Sequence, residues 1–275
     1  MPESSETENM VRGPDPSENS LCNKEIMASI RYAGLIQQAM LPSPHLLNRL
    51  LGDHFILFLP KSVVSGDFYW VAHKNRQIYV VAADCTGHGV PGALMSFLGI
   101  SFLNEIVKTG CSDLAGHILN KLREKVMDAL HQTGDFNESK DGMDLAICII
   151  NQDKSNMQFA GANNPVYIIR DETLLELKAD KMPVGIDAMN EEPFTSRDIE
   201  IIKDDRIYMF SDGFADQFGG PDNKKFKYRP FKQLLIDIHK KDMHEQHNIL
   251  KESIETWKGD NEQVDDILVM GFSIT

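Results

Sequence analysis

Apolar positions recur along the chain at two periods, and the switches between them mark its elements. Ile26, Ile30, Ala33, Ile36 and Met40 fall at helical spacing, which predicts a helix over 23–40 that Pro42 and Pro44 bring to a stop. Apolar runs rich in β-branched and aromatic residues follow at 54–60, 63–71 and 76–83. The last two flank the turn-like His73-Lys74-Asn75 and read as a hairpin. Helical spacing returns at 91–108, with Pro91 in the first turn and Gly110 at the end. A second helix carries Leu114, Ile118, Leu122 and Val126 on one face, with Asp113 as its cap. Residues 131–140 are polar and read as a mobile loop. Strands are then expected at 145–150, 157–160, 166–170, 174–177 and 206–210, helices at 231–239 and 245–257, and a final strand at 267–273. Strands, two helices, strands, two helices and a strand make an α+β order, best satisfied by sheet layers with helices outside. Residues 1–20 hold almost nothing to bury and are expected to be a disordered tail.

Four of these segment ends carry an acid: Gly66-Asp67, Ala83-Asp84, Ser211-Asp212-Gly213 and Asp265-Asp266. A single Asp in such a place is usually a turn former or a helix cap. Four together, two beside glycine and two after strongly apolar strands, ask for more. Asp84 ends the apolar run Tyr79–Ala83, and Gly87 and Gly89 are expected to let the backbone approach whatever it binds. Gathered carboxylates repel one another, and a hard divalent cation is the simplest compensation. No His or Cys groups with them, so Mg²⁺ or Mn²⁺ fits better than Zn²⁺. Two such ions ~3.5–4 Å apart can turn a bridging water into hydroxide near neutral pH, the machinery of phosphate-ester hydrolysis.

Composition narrows the class. The 275 residues carry 28 Lys+Arg against 41 Asp+Glu, a formal charge of −13, which argues against nucleic acid or an anionic membrane as the main partner. Cys22, Cys85, Cys111 and Cys148 are scattered and form no CxxC pair, so a reducing, cytoplasmic setting is expected. No apolar run is expected to approach the ~18 residues of a membrane helix, and the N-terminus lacks the pattern of a signal peptide. No GxxxxGK[ST] loop appears, which disfavours a nucleotide substrate.

In these motifs the chain resembles the metal-dependent PPM-type serine/threonine phosphatases, in particular the bacterial SpoIIE/RsbU-like branch. The resemblance runs from about Ile26 to the C-terminus. It rests on Ser65-Gly66-Asp67-Phe68-Tyr69, Ala83-Asp84-Cys85-Thr86-Gly87-His88-Gly89-Val90-Pro91, Ala160-Gly161-Ala162-Asn163-Asn164-Pro165, Met182-Pro183-Val184-Gly185, Ser211-Asp212-Gly213 and Asp265-Asp266. It implies an αββα sandwich of two antiparallel sheets flanked by helices, with two or more Mn²⁺ or Mg²⁺ ions at one end. Asp67 and Asp84 would bridge the ions, the Cys85 carbonyl oxygen would add a ligand, and Asp212 and Asp265 would complete the set, with Asp266 the weaker candidate of its pair. The implied reaction is attack of a metal-bridging hydroxide on phosphoserine or phosphothreonine. The implied substrate is a phosphorylated anti-sigma-factor antagonist, or a similar small phosphoprotein, in bacterial partner-switching and stress-response signalling. Residues 45–275 would be the phosphatase domain, and 21–44 a linker helix open to a regulator or second subunit. A catalytically silent phosphoprotein-binding module of the same fold is the rival reading.

Ser65 and Trp70 depart from the family pattern outside the expected ligands, which touches substrate fit more than metal binding. The phosphate-gripping arginine of eukaryotic relatives has no clear counterpart; Lys61 reads as a solvated lysine and His88 as a structural turn residue rather than a general acid. Asn163 and Asn164 read as turn residues, Cys85 as a small buried apolar residue, and Thr86 as no nucleophile.

Overall fold

The computed structural model describes residues 16–110, 114–135, 139–187 and 192–275. Helix α1 (Pro16–Met40) opens the described chain. Residues 16–20, expected to be disordered, continue this helix toward the N-terminus, while 1–15 and the cap residue Asp113 lie outside the described residues. The inward face of α1 is not the one the spacing picked. Gly34 and Gln37 are buried, whereas Ile26 and Ile36 are 51% and 44% exposed. Helix α2 (Pro44–Leu51) was not expected. Pro44 does not only stop a pattern: it sits in the first turn of a new helix, where its missing N–H costs nothing, and Ser43 Oγ accepts the Leu46 N–H at 3.3 Å.

Strand β1 (His54–Leu59) is followed by β2 (Phe68–Lys74) and β3 (Gln77–Cys85), joined by a tight turn with Asn75 and Arg76 both at positive φ. Helices α3 (Gly89–Thr109) and α4 (Ala115–Ala129) come next, and Gly110 closes α3 in the left-handed conformation as expected. Strands β4 (Met143–Asn151), β5 (Asn156–Ala162), β6 (Val166–Arg170), β7 (Thr173–Leu177), β8 (Arg197–Glu200) and β9 (Arg206–Phe210) follow. A one-turn helix α5 (Gly213–Asp216), the two-residue strands β10 (Phe218–Gly219) and β11 (Lys224–Lys225), helices α6 (Tyr228–Ile238) and α7 (Met243–Lys258), and strand β12 (Ile267–Ser273) complete the chain. Strand β8 and the β10–β11 pair were not anticipated. They are short, and β8 is held in place by pairing with β5 rather than by an apolar pattern of its own.

Two five-stranded sheets result, ordered β1-β12-β9-β6-β7 and β2-β3-β4-β5-β8, and every pairing is antiparallel. Period-two alternation builds three apolar layers from them. In β3, Ile78, Val80 and Ala82 enter the layer between the sheets, meeting Ile168, Met209 and Met270. Tyr79, Val81 and Ala83 point the other way, under α3 and α4. Across the molecule, Tyr167, Phe210 and Val269 face α6 and α7. The expected αββα sandwich is what forms. Helix α3 is in fact long and apolar enough to cross a membrane by length and composition, contrary to expectation. Its Met95, Ile100, Leu103 and Ile106 are spent instead on the core beneath it.

Candidate metal centre

The register brings the acids to one end of the sandwich. Phe68 pairs with Ala83 and Asp84 with Asp144, so the start of β2, the end of β3 and the start of β4 coincide. In the other sheet Val269 pairs with Phe210, which sets Asp265 and Asp266, just before β12, beside Asp212, just after β9. Hydrogen bonds join the sheets at this end. Ser211 Oγ donates to Asp67 Oδ2 at 2.5 Å, and the Gly66 N–H donates to Asp266 Oδ2 at 2.7 Å. Asp67 and Asp266 are each 2% exposed, while Asp84, Asp144, Asp212 and Asp265 are half-buried.

Glycine permits this convergence by close approach. A Cβ on Gly66 would lie 2.5 Å from the Gly87 carbonyl oxygen and 3.2 Å from that of Cys85; one on Gly213 would lie 2.0 Å from the Asp266 carbonyl oxygen. Gly87 has no atom beyond its chain neighbours within 4 Å of its Cβ position, and its positive φ of 80° turns the chain after Asp84.

The electrostatics are those of negative charge packed without balance. Burial, then Asp84, pushes the Asp67 carboxyl well above the ordinary range, against the Ser211 hydrogen bond. Burial, then Asp212, Asp265 and Asp144, raises Asp84 to about 8, opposed by a hydrogen bond from the Asp212 backbone. Asp212 rises to about 6 through burial and then Asp216, Asp265 and Asp144; Lys225, ion-paired with Asp216 at 2.7 Å, offsets this only weakly. Among the described residues no group of three or more Asp, Glu, His or Cys side chains is gathered closely enough to hold a metal ion by itself. The acids that influence one another span both sheets instead. An open set of hard carboxylate oxygens, with Asp67, Asp84 and Asp212 raised by burial and then by neighbouring carboxylates, fits Mg²⁺ or Mn²⁺ that keep much of their water.

Asp144 escaped the sequence reading. Its signal was a lone acid at the start of a buried strand, and its importance comes from lying opposite Asp84. Asn163 Nδ2 donates to Asp144 Oδ1 at 2.8 Å and Asn164 Nδ2 to the Asp144 carbonyl at 3.2 Å, so the two turn asparagines also brace the site. Asn163 does form the turn, at φ 55°. Tyr228, at the start of α6, was missed as well; burial raises its phenol, and Asp212, Asp216, Asp84 and Asp144 add to the effect. Ser65 and Trp70 have structural partners: Ser65 Oγ accepts the Asp67 N–H at 3.1 Å, and Trp70 Nε1 donates to Asn104 at 3.0 Å. Asp266 uses both carboxylate oxygens on backbone, taking the Lys61 N–H at 2.7 Å as well as Gly66; the contact belongs to the Lys61 peptide and not its ammonium. Asp265 accepts the Asp266 N–H at 2.9 Å. Cys85 is buried with its thiol pushed up by burial, and His88 is an exposed N-cap of α3 without a side-chain capping bond.

Residues 74–275 match the model of the stage II sporulation protein E (SpoIIE) family, a span that includes Asp84, Asp212 and Asp265 and begins after Asp67. The phosphoserine phosphatase RsbU of Bacillus subtilis is 26% identical over 221 residues, covering 78% of this chain and 61% of RsbU, so the match spans less than two thirds of that relative. Among solved structures, the SiaA-PP2C domain of Pseudomonas aeruginosa superposes with a TM-score of 0.83 at 29% identity, over 92% of this chain and 99% of that one. The PP2C phosphatase domain of SpoIIE from Bacillus subtilis, with a fragment of its regulatory domain, gives 0.65 at 20% identity over 81% and 61%. With well over half of its length matched, the chain belongs to the SpoIIE family of PPM-type phosphatases.

Proposed function

We propose that this chain is a metal-dependent protein phosphatase that hydrolyses phosphoserine or phosphothreonine on a small phosphoprotein. The observation that carries the reading is the set Asp67, Asp84, Asp212 and Asp265, gathered from both sheets at one end, with Asp67, Asp84 and Asp212 raised by burial and then by the charge of their neighbours. Two Mn²⁺ or Mg²⁺ ions, when bound, would supply Lewis acidity toward the phosphoryl group and bring the pKa of water near neutrality. In this reading Asp67, Asp84, the Cys85 carbonyl oxygen, Asp212 and Asp265 would be the donors that hold the ions. Asp266 serves as an anchor, because both its oxygens are already taken by backbone N–H groups. The acids would hold the ions and accept the proton released as water attacks; Ser211 fixes the Asp67 carboxylate by a hydrogen bond to its Oδ2.

Family membership supports a place in partner-switching signalling, with a phosphorylated anti-sigma-factor antagonist as the substrate. Residues 45–275 are then the phosphatase domain, and 21–44 the part through which a regulator or second subunit acts. The test is Mn²⁺-dependent hydrolysis of a phosphoserine peptide and of p-nitrophenyl phosphate by the chain and by Asp212→Asn. Mn²⁺-dependent turnover that falls by about 10²-fold or more in the variant is expected, since one missing carboxylate weakens the site that activates water. A folded wild-type chain inert toward both substrates would favour a silent binding module.

A further inference from the structure

Helix α1 stands outside the two sheets, yet one of its side chains reaches the loop that carries Asp67. Gln37 is 4% exposed and uses its whole amide. Its Nε2 donates to the Ser65 carbonyl at 2.6 Å and to Ser96 Oγ at 2.9 Å, and its Oε1 accepts the Ser65 N–H at 3.0 Å. One amide therefore captures both backbone groups of Ser65, as a neighbouring strand would, and ties them to α3. The pattern fixes the amide orientation, because only the nitrogen can donate to a carbonyl.

From Ser65 the constraint passes directly to the acid. Ser65 Oγ takes the Asp67 N–H, the intervening Gly66 N–H is held by Asp266, and the Asp67 carboxylate is held by Ser211. Without Gln37, the Ser65 end of this loop keeps no side chain fixing its backbone. A second observation on the same helix face agrees. Gly34, one turn before Gln37, lies so near the loop that a Cβ there would sit 3.0 Å from the Val63 carbonyl oxygen. Glycine inside a helix is unfavourable relative to alanine, and close approach to the 63–65 segment is what it permits here.

We propose that Gln37 is a positioning residue for Asp67: docking of α1 through Gly34 and Gln37 sets the backbone of Ser65 and so the place of the Asp67 carboxylate. This rests on the reading of Asp67 as part of a divalent-metal site. On this view α1 is a structural part of the centre. Gln37 touches neither substrate nor ion.

Gln37→Met tests the proposal in the full chain, since it keeps the length and helix preference of the side chain and removes all three hydrogen bonds. In the metal-free chain, amide exchange at Ser65, Gly66 and Asp67 should accelerate about 10-fold or more, while α6 and α7 exchange as in wild type. The Mn²⁺ concentration for half-maximal hydrolysis of p-nitrophenyl phosphate should rise about 10-fold, with the rate at saturating Mn²⁺ much less affected. Gly34→Ala, although a better helix former, should move both readouts the same way by a smaller amount, and it decides the matter should Gln37→Met fail to fold. Tyr32→Ala, on the exposed side of α1, should move neither. Unchanged exchange at Ser65–Asp67 in Gln37→Met overturns the proposal, as does an unchanged Mn²⁺ requirement. A wild-type chain that binds Mn²⁺ in calorimetry but hydrolyses nothing would count against the phosphatase reading alone; the exchange rates and the calorimetric Mn²⁺ affinity of Gln37→Met would then decide the role of Gln37.

Discussion

Asp84 and Asp144 occupy one register position of β3 and β4, on the same face of the sheet, and the charge of Asp144 adds to the burial that raises Asp84. The consequence for stability has a definite sign. A carboxyl whose folded pKa is raised stabilises most below its unfolded pKa and loses that contribution as pH rises through the folded value. For Asp212 the loss runs up to about 6 and for Asp84 up to about 8. The metal-free chain should therefore melt at progressively lower temperature between pH 6 and pH 8.5 (about the upper part of that window), and saturating Mn²⁺ should reverse the trend. A melting temperature that is flat or rising over this span without metal would refute the account. Asp144→Asn separates stability from function: deleting a charge that raises Asp84 and Asp212 should raise the melting temperature of the metal-free chain and weaken Mn²⁺ binding, about 10-fold in calorimetry. At this scale the sequence exposed the acids that follow apolar strands or adjoin glycine. It hid Asp144, whose role exists only through its cross-strand neighbour, and it offered no way to separate Asp265 from Asp266, identical neighbours that differ in which backbone N–H groups they face.

Elements place these residues through a few close approaches of backbone. Helix α5 starts against the entry to β12, and Gly213 is the point of contact, with the Asp266 carbonyl where a Cβ would stand. Gly213→Ala should push α5 away from β12 and carry Asp212 with it, lowering both the melting temperature and Mn²⁺-dependent activity. Ser43→Ala gives the contrast: it removes the cap of α2, far along the chain from any of the acids, and should cost about 1 kcal/mol in denaturant unfolding with the Mn²⁺ requirement unchanged. If the two substitutions affected activity alike, local placement by α5 would be the wrong explanation. The central strands were legible because β3, β4 and β12 are buried on both faces and read as unbroken apolar runs. Those elements that depend on other parts of the chain were not: β8 is held by β5, and α2 lies over β1 and β2 at the edges of the two sheets. The buried face of α1 was misread because a glycine and a glutamine, rather than its isoleucines, make the contact.

At the scale of the whole molecule, a formal charge of −13 opposes an anionic substrate, yet the chain beside the site is locally basic. Lys224, Lys225, Lys227 and Arg229 fall within six residues around β11 and the start of α6, all exposed. Lys224 and Lys225 pair with Asp222 and Asp216, so the local positive charge rests on Lys227 and Arg229, and Tyr228 between them feels the charge of Asp212 and Asp84. Which field a substrate meets depends on screening. At 0.01 M ionic strength the Debye length is about 30 Å. This exceeds the radius of gyration of roughly 19 Å expected for a globule of this length, so the net negative charge acts as one. At 0.15 M it shrinks to about 8 Å, and an approaching peptide responds mainly to what lies next to the site. With Mn²⁺ kept saturating, the KM for an acidic phosphoserine peptide should therefore fall between these two salt concentrations, while that for a basic phosphoserine peptide should rise. The comparison cancels any effect of salt on metal binding or on the chemical step, since both peptides share them. Parallel changes in the two KM values would mean that the charge of the molecule has no part in selecting its substrate. Divergence in the expected sense, diminished when Lys227 and Arg229 are both replaced by Ala, would place the local attraction on the segment that leads into α6.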